Sequence, residues 1–113
     1  MNIIPQEKKT YGPVAAGTYE ARIIEATEAG DGSYIQIKME VANDDKSWVW
    51  DRIYNDNETK AKYICTAIGK EWNGTLTPEE LEDKPVSIDV GVVNKDGEDR
   101  NRVTSYRPSQ VPF

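Results

Sequence analysis

The stretch Trp48-Val49-Trp50-Asp51-Arg52-Ile53-Tyr54 decides how the rest of the chain is read. In an extended strand successive side chains point to opposite faces, so Trp48, Trp50, Arg52 and Tyr54 share one face and Val49, Asp51 and Ile53 the other. One face then carries three aromatic rings and a guanidinium. Such a surface suits unstacked bases, because rings offer stacking platforms and the cation can meet a phosphate. A small β core also wants bulky side chains, and a tryptophan in a strand can equally be packed inside. Spacing alone leaves the two open.

Immediately upstream, residues 34–41 alternate cleanly, with Ile35, Ile37, Met39 and Val41 on one side and Tyr34, Gln36, Lys38 and Glu40 on the other. This predicts a strand whose outer face adds an aromatic and a lysine to the set. A turn at Asn43-Asp44-Asp45-Lys46 joins it to 48–54. Before it, the glycine-bearing turn Ala29-Gly30-Asp31-Gly32-Ser33 follows a first strand over 18–28, in which Tyr19, Ala21 and Ile23 alternate with Glu20, Arg22 and Ile24. Three antiparallel strands in sequence make a meander. Residues 1–16, with Pro5, Gly12 and Pro13 and no period, read as an extended arm.

Downstream of Tyr54 the period changes from two to 3.6. Asp56 or Asn57 can cap a helix over 57–72 whose apolar stripe is Ala61, Ile64, Cys65, Ile68 and Trp72. Cys65 within that stripe reads as a small buried hydrophobe. Thr77-Pro78-Glu79-Glu80 signals a short helical turn ending near Asp83. A fourth strand follows over 86–93, then the hairpin turn Asn94-Lys95-Asp96-Gly97, then a fifth strand over 99–106. Strict alternation puts Arg100, Arg102, Thr104 and Tyr106 on one face of that last strand. Residues 108–113 read as a tail.

Three strands, a helix and two strands in this length are the element order of the OB-fold, a mainly β, five-stranded Greek-key barrel with one α-helix between strands 3 and 4. The expected organisation is an arm at 1–16, the OB-fold domain at 17–107 and the tail at 108–113. In this fold the face of strands two and three binds the ligand, which is where Trp48, Trp50, Arg52, Tyr54, Tyr34 and Lys38 fall.

Composition narrows the function classes. The 113 residues are 37% hydrophobic and 30% charged, which suits one folded domain. No apolar run approaches the ~20 residues of a membrane span, and the first ten residues are no secretory signal, so an intracellular protein without a membrane partner is expected. A single cysteine precludes an internal disulfide. There is no histidine, which removes the commonest general base and zinc ligand, and no carboxylate pair sits in a catalytic motif; we expect no enzyme, no metal and no cofactor. The net charge of −6 argues against a phosphate partner only until its distribution is read. Residues 71–99 hold nine acids against two bases, residues 1–70 eleven against nine, and residues 100–113 three arginines and no acid. A basic face on an acidic chain is therefore available.

Four stretches in order, Pro-Val-Ala-Ala-Gly-Thr-Tyr-Glu-Ala-Arg-Ile (13–23), Val-Trp-Asp-Arg (49–52), Asp-Lys-Pro-Val (83–86) and Arg-Asn-Arg-Val (100–103), resemble the short phage and prophage proteins long catalogued as a domain of unknown function. Those are similar to OB-fold single-stranded-DNA-binding proteins, and the resemblance runs over about residues 1–108. It implies a protein of phage replication or recombination, in the cytoplasm of a bacterial host, that coats single-stranded DNA with little sequence preference. Two departures stand out. The connection over 73–84 is longer than the family's, and the terminal Val-Pro-Phe resembles a partner-recruiting Pro-Phe tip without the acids that normally precede it. Recruitment of phage or host replication and recombination proteins would fall to Phe113.

The expected mechanism is physical. Bases stack on a subset of Trp48, Trp50, Tyr54, Tyr34 and Tyr106, while Arg22, Lys38, Arg52, Arg100 and Arg102 meet phosphates, and effective coating requires cooperativity or a homo-oligomer. The alternative from another class is an OB-fold protein-protein interaction module that takes a segment of a phage or host replication protein in the same groove. Another is a phage inhibitor that mimics nucleic-acid charge with the acids of 71–99.

Overall fold

The computed structural model describes residues 13–43 and 46–110. Its elements are β1 (Gly17–Glu28), β2 (Tyr34–Val41), β3 (Trp48–Tyr54), α1 (Glu58–Ile68), α2 (Pro78–Leu81), β4 (Pro85–Lys95) and β5 (Glu98–Pro108). The five strands form one antiparallel sheet in the order β3-β2-β1-β4-β5. This is the OB-fold expected from the element order, barrel-like but with the sheet left open between β3 and β5.

Local chemistry accounts for the elements. The Asn57 side chain accepts a hydrogen bond from the Lys60 backbone N–H and caps α1, with Glu58 in the first turn. The helix stops at Gly69, in the left-handed region at φ 80°, whose N–H returns to Cys65 and Thr66 carbonyls. That is earlier than the apolar stripe suggested: Trp72 lies beyond the helix and packs on the core from the following loop. Thr77 and Glu80 form the expected capping box around Pro78. In the β4–β5 hairpin Asp96 and Gly97 both have positive φ (54° and 82°), the pair a type I′ turn requires.

The core is a single apolar cluster. Ile23, Ile37, Met39, Val41, Val49, Ile64, Leu81, Val86 and Ile88 are essentially inaccessible, and Cys65 is buried among them with its thiol pKa pushed up by burial. Val14 also enters this cluster, held because the Asn101 side chain accepts from its N–H and donates to its C=O, both at 2.9 Å. Of the arm expected over 1–16, residues 1–12 lie outside the described residues. At the other end Glu20 accepts from the Ser109 hydroxyl and the Gln110 N–H, and Phe113 lies outside the described residues.

Two bulges break the strict alternation. In β1 the register steps from Ile23↔Met39 to Glu25↔Lys38, so Ile24 is the extra residue and the inward series continues at Ala26. In β5 it steps from Val90↔Val103 to Asp89↔Ser105, so Thr104 is extra and the phase of the strand reverses. Tyr106 consequently points inward.

Across the open seam, β3 and β5 are joined by α1 and by one polar cluster. The Asp51 carboxylate accepts from Lys60 Nζ (2.9 and 3.0 Å), from the Tyr106 hydroxyl (2.5 Å) and from the Arg52 N–H (2.8 Å). Burial, then the neighbouring Asp51 charge and hydrogen bond, push the Tyr106 phenol well above its ordinary value. Below about pH 10 the phenol is protonated in both folded and unfolded chains, and its contribution is fully present. Above that the unfolded chain ionises first, so stability falls as pH rises toward the folded-state pKa. Tyr106→Phe is therefore expected to cost about 1.5 to 3 kcal/mol at neutral pH, as for a hydrogen bond to a charged group, and to flatten the alkaline limb, as read by urea denaturation between pH 7 and 11. Ile37→Ala, a core truncation, should cost about 2 to 5 kcal/mol in the same assay.

Candidate nucleic-acid interface

The register of the first three strands determines which side chains stand together on the outer face. Arg22 pairs with Glu40 and Glu40 with Trp48; Glu25 pairs with Lys38 and Lys38 with Trp50; Gln36 pairs with Arg52 and Tyr34 with Tyr54. Directly paired residues of an antiparallel sheet project to the same side, so these rows form one surface. Val49 and Ile53 are buried beneath it. Of the two readings left open for β3, the outward one holds for Trp50 and Tyr54, which are 47% and 45% exposed.

The face is ordered by ring and cation contacts. Lys38 Nζ stands 3.4 Å from the centre of the Trp48 ring and 5.7 Å from that of Trp50. The Arg52 guanidinium carbon is 4.5 Å from the Tyr34 ring centre, and Arg52 Nε donates to Gln36 Oε1 at 3.3 Å. Trp48 and Trp50 meet edge to face at 6.0 Å, and Tyr34 and Tyr54 are tilted at 5.5 Å. Each contact contributes on the order of 0.5 to 1 kcal/mol, enough to hold the rings in place. Trp48 is half-buried with Lys38 over it, so Trp50 and Tyr54 are the rings that offer the most free surface. Glu25 and Glu40 stand on the same face, Glu25 exposed and Glu40 half-buried.

The remaining expected site residues divide. Arg100 joins the face at its edge: with Trp48, Trp50, Asn101 and Pro13 it lines a cleft of about 380 Å³ over the β3–β5 seam, to which Asp99 contributes a carboxylate. Arg102 does not join it. It lines a different cleft, between α1 and β5. Tyr106, assigned to the binding surface by alternation, is 4% exposed and bonded to Asp51, so it cannot stack a base; the bulge at Thr104 is the reason.

A third cleft, of about 460 Å³, lies at the other end of the face, where Tyr34 and Tyr54 meet Trp72 and Leu76. Glu28 and Glu58 stand in its wall. Lys62, 2.9 Å from Glu58, holds that carboxyl below its usual range, so it stays ionised at neutral pH. Trp72 is the residue whose participation the sequence concealed: counted as part of the helical stripe, it gave no sign that Gly69 would turn the chain and bring it beside Tyr54.

No protein-family model matches the chain, and no curated protein matches it at a significant level. Among the described residues, no cluster of three or more Cys, Asp or Glu side chains could hold a metal ion, and no helix is long and apolar enough to cross a membrane.

The two faces of β3 make opposite demands on stability. Trp50→Ala is expected to cost about 1 kcal/mol, from its contacts with Trp48 and Lys38, whereas Ile53→Ala should cost about 2 to 5 kcal/mol. Equal losses in chemical denaturation would place the strand in the opposite register.

Proposed function

We propose that this protein binds single-stranded DNA on the outer face of β1, β2 and β3 without strong sequence preference, acting as a phage protein that coats single strands during replication or recombination. The observation that carries the reading is the exposure of Trp50 and Tyr54 beside Lys38 and Arg52, on a strand whose alternate residues Val49 and Ile53 fill the core. A strand at the sheet edge that keeps large rings at the surface, and stabilises them with cations, presents apolar area of the kind that marks a binding surface. Base rings cover it through their faces, and every base has one.

Arg22, Lys38, Arg52 and Arg100 lie where the backbone of such a strand would run. Trp50 and Tyr54 supply the main platforms; Trp48 and Tyr34 lie beside them and give the surface its shape. The resemblance of four sequence stretches to phage OB-fold proteins supports the same reading, and the cytoplasm of a bacterial host is the compartment it implies. Glu25 and Glu40 on the face favour the second reading, a protein segment with basic side chains held in the same groove.

Titration with dT oligomers, followed by the protein's own tryptophan fluorescence, separates the two. Quenching should saturate with single strands and not with duplex. Trp50→Ala should weaken binding by about 1 to 3 kcal/mol, the contribution of one stack. With four phosphate contacts the logarithm of the binding constant should fall with the logarithm of salt at a slope of about −3. A flat response at low salt would overturn the nucleic-acid reading and leave the protein-segment reading to be tested by pull-down.

A further inference from the structure

The cleft between α1 and β5, about 490 Å³, is separate from the face just described. Tyr63 and Lys60 line it from α1, and Val93, Arg102 and Thr104 from the hairpin. Tyr63 is 57% exposed, more than any other large apolar side chain described, on a helix whose opposite face supplies Ile64 and Cys65 to the core. Arg102 is exposed and makes no ion pair among the described residues, whereas the Lys60 charge is matched by Asp51.

Charge sets this cleft apart from the other two. Glu28 and Glu58 stand in the Tyr34–Tyr54–Trp72 cleft and Asp99 in the seam cleft, but no carboxylate is among the lining residues of the α1–β5 cleft. In a chain of net charge −6 this is a place where a polyanion meets a ring and a cation without repulsion from the walls. It also adjoins the seam along β5. Arg100 lines the seam cleft and Arg102 the α1–β5 cleft; the two are separated by one residue on the part of β5 before its bulge, so they share a face and stand about 6.8 Å apart. That is a separation successive phosphates of an extended strand can match. The Arg100 pair with Glu98, at 3.1 Å with both ends exposed, is weak and can yield to phosphate.

We propose that the single strand bound on the outer face crosses the β3–β5 seam over Arg100 and continues into the α1–β5 cleft, where Arg102 meets a phosphate and Tyr63 stacks a base. This extension rests on the function proposed above. It makes Tyr63 and Arg102 contacts of longer strands alone, since a short oligomer is held entirely on the β2–β3 side.

The test uses the full chain and dT oligomers from about 4 to about 16 nucleotides, the range that one OB-fold covers. Tyr63→Ala should leave affinity for the shortest binding oligomers unchanged and weaken the longest by about tenfold, within the range for one stack. Tyr63→Phe should behave as wild type. Arg102→Ala should reduce the salt slope by about 0.7 on long oligomers only. A loss that is equal at every length, or absent at every length, overturns the proposal. If Trp50→Ala weakens all lengths while Tyr63→Ala weakens none, the single-strand function stands and only the extension falls; if wild type binds no single strand, both fall. A DNA-free dimer seen by sedimentation and abolished by Tyr63→Ala would assign the cleft to a second copy and likewise overturn it.

Discussion

No backbone ladder joins β3 to β5, so the barrel is held across that seam by side chains, and the Asp51 carboxylate is the polar centre of the arrangement. A carboxylate this enclosed is costly unless its oxygens are met by donors. Lys60 reaches it from α1, Tyr106 from β5 and the Arg52 N–H from its own strand, so three elements converge on one residue. The apolar share of the same join comes from α1, whose Ala61, Ile64, Cys65 and Ala67 are buried in the common core. Removing any one donor leaves an enclosed charge less well matched.

The candidate site depends on that join. Asp51 is flanked in sequence by Trp50 and Arg52, and anchoring it to α1 and β5 fixes the pleat of β3 with its two neighbours directed outward. The outer face is then organised by contacts that cost little and restrict much: Lys38 over Trp48, Arg52 beside Tyr34, ring against ring. A surface with its rings already held loses less rotamer freedom when a ligand settles on it.

Charge is distributed along the same lines. Arg22, Lys38 and Arg52 sit on the three-strand face beside Glu25 and Glu40, with Arg100 at its edge, while Glu80 of α2 is paired with Lys70 at 2.6 Å. Among the described residues the net charge of the chain therefore says little about the charge of this face. The clefts at its two ends differ in charge, one walled by Glu28 and Glu58, the other carrying Arg100 together with Asp99.

Sequence by itself determined the element order, the meander, the β2 and β3 boundaries, a helix cap at Asp56 or Asn57, the Asp96-Gly97 turn, the burial of Cys65 and the sharing of one β3 face by Trp48, Trp50, Arg52 and Tyr54, though not whether that face turns outward. These follow from short-range rules, since alternation, capping and turn chemistry are properties of neighbouring residues. Only the tertiary structure decided the rest. Curling the sheet toward closure introduces bulges at Ile24 and Thr104, and each shifts the alternation by one; the second carries Tyr106 from the expected binding face to Asp51. The left-handed turn at Gly69 ends α1 early and places Trp72 beside Tyr54, and the packing of α1 against β5 separates Arg102 from Arg100 into different clefts. Periodicity reports which way a side chain points along a regular element. It carries no information on where the element stops being regular, because that is determined by the elements packed against it.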